Sequence, residues 1–205
     1  MRNGDAVPTA NGDAVRTALD AALAVLTPHT GNRDWDAPAG LLEWSCRDTA
    51  AHIAHDLLAY AGQLAARPRD RYLPLDLTVR PEADPAQVLT VVTAAGHLLA
   101  TTLDAAPPEL RAYHHGPCEP LGFAAMGVAE TLLHTHDITR GLGLPWQPPA
   151  EPCRFALDRL FPHAPREPDA HPAEVLLWCT GRGELNGRPR KSSWTWRAAM
   201  GEWPD

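Results

Sequence analysis

The sequence predicts an all-α protein built on a four-helix bundle, and three observations lead there. Four stretches of roughly 16 to 22 residues carry apolar side chains at helical spacing. Proline or glycine follows each one: Pro28, Pro68, Pro107-Pro108, and Gly141 to Pro145. Strand-like alternation is confined to one tail segment, Ser192-Ser193-Trp194-Thr195-Trp196-Arg197.

Residues 1–12 read as a leader without regular structure. In the first helix Val15, Leu19, Ala22, Leu23 and Leu26 recur at helical spacing, and Pro28 ends it. Thr27 to Ser45 is a loop whose Trp35 and Trp44 are expected to fold back on the bundle. Asp48 is the expected N-cap of a second helix running to about Arg67. A third helix is expected from Pro85, a favourable first-turn residue, to Ala106, and it presents Val88, Leu89, Val92, Leu99 and Leu103. The fourth, Leu121 to Leu142, is apolar almost all round, so it belongs in the middle of the domain. Shorter helices are expected at Pro152–Phe161 and His171–Gly181. The division that follows is a bundle over 1–145 and a C-terminal extension over 146–205 that packs on it.

Connector 68–84 bears on the topology. It can stretch roughly 50 Å, more than the roughly 30 Å of a 20-residue helix. A crossover between helices 2 and 3 would leave them parallel and set helix 4 antiparallel to helix 2. The start of helix 2 then meets the later half of helix 4.

Composition narrows the function. The 205 residues suffice for one domain with a full core, and the net charge of −7 disfavours nucleic acid or an anionic membrane as partner. The four cysteines, Cys46, Cys118, Cys153 and Cys179, form no CxxC pair, so neither a disulfide framework nor a thiolate zinc site is indicated. Met1 to Val15 lacks a signal-peptide apolar region, and no apolar run reaches the roughly 18 residues that span a bilayer. A cytoplasmic protein is expected. Trp194 and Trp196 would share a strand face, which suits packing or a homodimer contact.

The chemistry centres on Glu130-Thr131-Leu132-Leu133-His134-Thr135-His136-Asp137. Glu130, His134 and Asp137 fall within about 60° of each other on the helix. A carboxylate and an imidazole aimed into a core need a neutralising partner, and a metal ion is one. A Glu–His hydrogen bond is the simpler alternative for this stretch alone. On helix 2, His52 flanks the apolar stripe of Ile53, Leu57, Tyr60 and Leu64, whereas His55 points away. His136 lies about 160° from His134 and is expected at the surface. His52, Glu130 and His134 are therefore the candidate ligands of zinc or a related divalent ion, with a position left open as in catalytic sites. Asp137 is placed to steady that site rather than to close it.

Two segments carry a resemblance. Trp44-Ser45-Cys46-Arg47-Asp48-Thr49-Ala50-Ala51-His52-Ile53-Ala54, and Glu130 to Asp137 with Arg140-Gly141-Leu142-Gly143, are similar to the two signatures of the mycothiol-dependent maleylpyruvate isomerase N-terminal domain family. That family lies in the DinB-like metalloprotein superfamily. The resemblance spans roughly residues 15–145. It implies a DinB-like bundle, a divalent metal at His52, Glu130 and His134, and mycothiol as cosubstrate. The family's namesake enzyme also has a C-terminal domain that supplies an essential arginine. Here roughly 60 residues follow the bundle, and none of Arg182, Arg188, Arg190 or Arg197 can be matched to it.

Three functions follow as expectations. The first is a mycothiol-dependent S-transferase or isomerase-like metalloenzyme acting on a small electrophile. The others are a metal-dependent hydrolase and a non-catalytic metal- or ligand-binding stress protein. Arg80 and Arg140 are candidates to grip the remaining groups of the thiol, or equally solvated surface charges. His114-His115 and Cys118 read as incidental loop residues, and Phe123 and Met126 as core.

Overall fold

The computed structural model describes residues 11–203, so the expected leader lies outside it except for its last two residues. Among the described residues six α-helices build the architecture: α1 Asn11–Leu26, α2 Cys46–Ala66, α3 Pro85–Asp104, α4 Pro120–Gly141, α5 Ala150–Leu160 and α6 Pro172–Cys179. The first four form the bundle. A two-stranded hairpin, β1 Ala112–Tyr113 and β2 Pro117–Cys118, interrupts the loop before α4. It turns through His115 and Gly116, both at positive φ.

Local chemistry sets the helix ends. The α2 N-cap is Ser45, whose Oγ accepts the Asp48 amide at 3.0 Å, so Asp48 sits in the first turn instead of at the cap as expected. Ser45 is the better cap because its backbone is extended, which the cap position requires. Arg67 closes α2 in the left-handed region at φ 55°, and Pro68 prevents continuation. Helix α3 opens with a reciprocal capping box between Asp84 and Gln87, followed by Pro85.

Around the bundle the neighbours run α1, α3, α2, α4. Helices α2 and α4 are antiparallel: Cys46 Sγ meets the Ile138 carbonyl, while Tyr60 reaches Glu130 and Phe123 further along. Connector 68–84 runs back along α2. Leu73 N–H donates to Gln63 Oε1 at 2.8 Å, and Leu77 N–H to His55 Nδ1 at 3.2 Å. Helix α3 therefore starts beside the N-terminal end of α2 and runs parallel to it, the crossover that the connector length allowed. Helix α1 opposes α3, with Gly12 against Ala100 and Leu19 against Gly96.

The core is continuous from the bundle into the extension. Phe123, Met126, Leu132 and Leu133 are buried with Cys153, Ala156, Leu160 and Leu176. Two arginines tie the extension to α4. Arg159 bonds Glu119, at the start of α4, and the carbonyls of Arg197 and Ala198. Arg182 bonds Asp137 in the last turns of α4. The tail 192–197 is not a strand as expected: among the described residues it joins no sheet, and its last residue, Arg197, is held instead by Arg159 on its carbonyl and by the Leu160 carbonyl on its N–H. Among the described residues, α3 is the one helix long and apolar enough by composition to cross a membrane. No single unbroken apolar run in the sequence announced it, because Thr and His side chains interrupt the pattern. Its Val88, Val92, Leu99 and Leu103 face the bundle core.

Gly141 is required by a close approach. A Cβ there would run into the Pro38 carbonyl and lie 3.1 Å from Ala39 Cα, both backbone. Gly141→Ala should destabilise the protein by about 1–3 kcal/mol, despite the roughly 1 kcal/mol that alanine gains over glycine in a helix. Gly31→Ala, with nothing within 4 Å of the new methyl, should change stability by less than about 0.5 kcal/mol. Urea unfolding of the two variants checks this, and equal midpoints would reject it.

Candidate metal centre

The antiparallel pairing of α2 and α4 brings His52 to the level of Glu130 and His134. One ligand atom from each lies within 4.8 Å of the other two. The His52 and His134 rings meet edge to face at 5.0 Å between centroids. His134 Nε2 is 3.1 Å from Glu130 Oε2. On its other side, Nδ1 is 3.3 Å from Asp137 Oδ2, in ion-pair contact but without the alignment of a hydrogen bond. His134, Glu130 and Asp137 are all nearly buried.

The electrostatics suit a cation. Burial alone would lower the pKa of His134, but its contacts with Asp137 and Glu130 outweigh burial and hold it up to about 9. A proton on the imidazole thus offsets one of the two carboxylate charges it faces, and Arg182 offsets the other at Asp137, where the helix would otherwise bury uncompensated charge. A divalent ion could take the place of that proton, and two imidazoles with one carboxylate are an apt donor set for it. Burial raises the Asp137 pKa, but His134 and Arg182 more than offset this and leave it lowered. Arg182 Nε and Nη2 donate to the Asp137 carboxylate at 3.1 and 2.8 Å.

Further groups complete the surroundings. Tyr60 O–H donates to Glu130 Oε1 at 3.4 Å, and burial with the Glu130 charge pushes its phenol pKa well up, so it remains a donor. Asp56, one turn after His52, places Oδ2 3.1 Å from His52 Nε2. Trp44 is 48 % exposed yet packs its edge on His52 at 4.7 Å, whereas Trp35 is buried. An open cleft of about 550 Å³ lies against His52, walled by Trp44, Asp48, Asp56, Asp76 and Val79. Beyond His55 and Asp56 a smaller cavity of about 220 Å³ is lined by Tyr60, Gln63, Tyr72 and His114.

Three histidines differ from expectation. His55 is half-buried instead of facing solvent, because the returning connector covers it and takes its Nδ1 as an acceptor. His136 is also half-buried, and burial lowers its pKa. His114 is no incidental loop residue. The hairpin folds it against Tyr60, Tyr72 and Phe123, and its Nδ1 is buried without a partner. Arg80 and Arg140 are exposed, and neither lines the cleft, although Val79 beside Arg80 does. Sequence reasoning passed over Asp56, whose i+4 spacing from His52 was a usable signal. Arg182 had no such local signal, since 45 residues separate it from Asp137.

His114 makes a pH-dependent contribution. Burial, with His115 beside it, pushes its pKa down to about 4. An unfolded chain, with a histidine pKa of about 6.5, binds more protons between those values. Stability contributed by the neutral ring is therefore complete above about pH 6.5 and is lost as the pH falls towards 4, by on the order of 3 kcal/mol. His114→Phe, which keeps the aromatic packing, should lose less stability than the parent between pH 7 and pH 4.5. Identical pH slopes in urea titrations would reject the assignment.

The family model described as the mycothiol maleylpyruvate isomerase N-terminal domain matches residues 13–139, which include His52, Glu130, His134 and Asp137. No curated protein and no solved structure gives a match. The match covers more than half of the chain, and the helical bundle and the His–Glu–His cluster agree with it. The chain belongs to the mycothiol maleylpyruvate isomerase N-terminal domain family, within the DinB-like superfamily.

Proposed function

We propose that the protein is a metal-dependent enzyme that uses a low-molecular-weight thiol, mycothiol by family, for thiol transfer to a small electrophile or for its isomerisation. The observation that carries this reading is the convergence of His52, Glu130 and His134 within 4.8 Å beside an open cleft. A divalent ion bound there, zinc by donor chemistry, would supply the positive charge that keeps a thiol deprotonated at neutral pH.

The side chains of the protein divide the remaining tasks. Tyr60 steadies the Glu130 carboxylate through its O–H. Trp44 shields one edge of His52 from water. Asp56 stands where the cleft and the inner cavity meet, and its Oδ2 is placed to receive a proton released there. Arg80, adjoining the cleft wall through Val79, and Arg140 are the proposed grips for the rest of the thiol. The thiol must come from outside the chain. All four cysteines are buried with raised pKa values, and Cys118 and Cys153 are pushed up to about 12 by burial.

Elemental analysis should find one divalent ion per chain. His52→Ala and His134→Ala should lose it, while His55→Ala and His136→Ala retain it; retention in the first pair rejects the ligand set. Electrophiles screened with and without thiol should turn over only with thiol and metal together. In Glu130→Ala the rate should fall more than about a hundredfold, because even partners of metal ligands matter roughly ten- to a hundredfold. Equal rates without thiol would instead assign hydrolysis.

A further inference from the structure

The segment after α6 reaches the metal centre from 45 residues away in sequence. Gly181, in the left-handed region at φ 68°, turns the chain back at the end of α6. Arg182 N–H then donates to the Leu177 carbonyl at 2.7 Å, and Arg182 Nη1 to that of Thr180 at 3.3 Å. This local frame aims the guanidinium at Asp137. Nε bridges both carboxylate oxygens at 3.1 Å, and Nη2 donates to Oδ2 at 2.8 Å. The side chains of Arg182 and Asp137 are only 13 % and 6 % exposed. The same Oδ2 faces His134 Nδ1 at 3.3 Å.

We propose that Arg182 is a positioning residue: it locks the Asp137 carboxylate, and through it the ring of His134, so that Nε2 is presented to the metal. Its donors are engaged by Asp137 and Thr180, which leaves it placed for orientation rather than for contact with a substrate. The C-terminal extension is then a working part of the metal centre. Two physical effects oppose each other here. A guanidinium near the site repels a cation, whereas its planar fork fixes a carboxylate that a point charge would hold less firmly. Partners of this kind set the affinity and geometry of a metal site without touching the ion.

Substitutions separate the two effects, and the inference rests on the metal reading above. Cobalt(II) serves as probe, titrated into metal-free protein and followed by its visible absorption band. Arg182→Lys keeps the charge and loses the fork; it should weaken binding about tenfold and alter the band. Arg182→Gln should weaken binding as well, although it removes a repulsive charge. In an Asp137→Asn background, Arg182→Lys should have no further effect. Urea unfolding of each metal-free variant identifies any that fails to fold; if Arg182→Gln does so, the lysine variant alone decides. Wild-type affinity and band in Arg182→Lys, or tighter binding in Arg182→Gln, would overturn the positioning role and leave the metal reading intact. Failure of the parent protein to bind cobalt would overturn both.

Discussion

Charge buried on an otherwise apolar helix is the constraint on which this structure depends. Helix α4 carries Phe123, Met126, Leu132, Leu133 and Ile138 into the core, and the same helix carries Glu130, His134 and Asp137. An isolated carboxylate in such surroundings is far too costly to leave ionised and unpaired. Neutralisation cannot come from α4 alone, where one imidazole faces two carboxylates. The chain draws Tyr60 from α2 and Arg182 from beyond α6 to the same few ångströms, and sets His52 opposite them.

That requirement explains the topology. His52 lies in the second turn of α2 and His134 in the later half of α4, so the two meet only if the helices run antiparallel. Connector 68–84 then has a task besides spanning distance. Gln63 and His55 accept its amides along the length of α2, which satisfies backbone donors that the bundle side would otherwise leave unpaired. His55 thereby becomes a structural clip. Asp76, 3.3 Å from its Nδ1, and Leu77 form the wall of the cleft. The crossover that parallels α2 with α3 thus also builds the space beside the candidate ligands.

Family and geometry speak to different parts of the function. The family model covers the bundle and stops at residue 139, before α5, α6 and the tail. The extension nevertheless holds both ends of α4, through Arg159 at Glu119 and Arg182 at Asp137. Its hydrophobic residues continue the bundle core without a break. The part of the chain outside the family match is therefore joined by ion pairs to the helix that carries Glu130 and His134.

The sequence by itself determined the helices and the candidate trio. Apolar residues at helical spacing, with proline and glycine at the ends, marked α1 to α6 to within a few residues, because these signals act over one or two turns. The trio was legible for the same reason: Glu130 and His134 share a face of one helix, and His52 flanks the apolar stripe of another. Tertiary structure alone decided how the flanking residues are used. His55 and His114 look like surface histidines until the connector covers one and the hairpin folds the other against Tyr60 and Tyr72, and His136 proves half-buried as well. The partnership of Arg182 with Asp137 spans 45 residues and depends on how α5 and α6 pack on α4. No local periodicity encodes such contacts, since burial and ion pairing are set by whichever distant segment arrives. The strand-like tail shows the same limit: its alternation is real, but among the described residues the fold brings no strand beside it, and Arg197 is held by Arg159 and Leu160 instead.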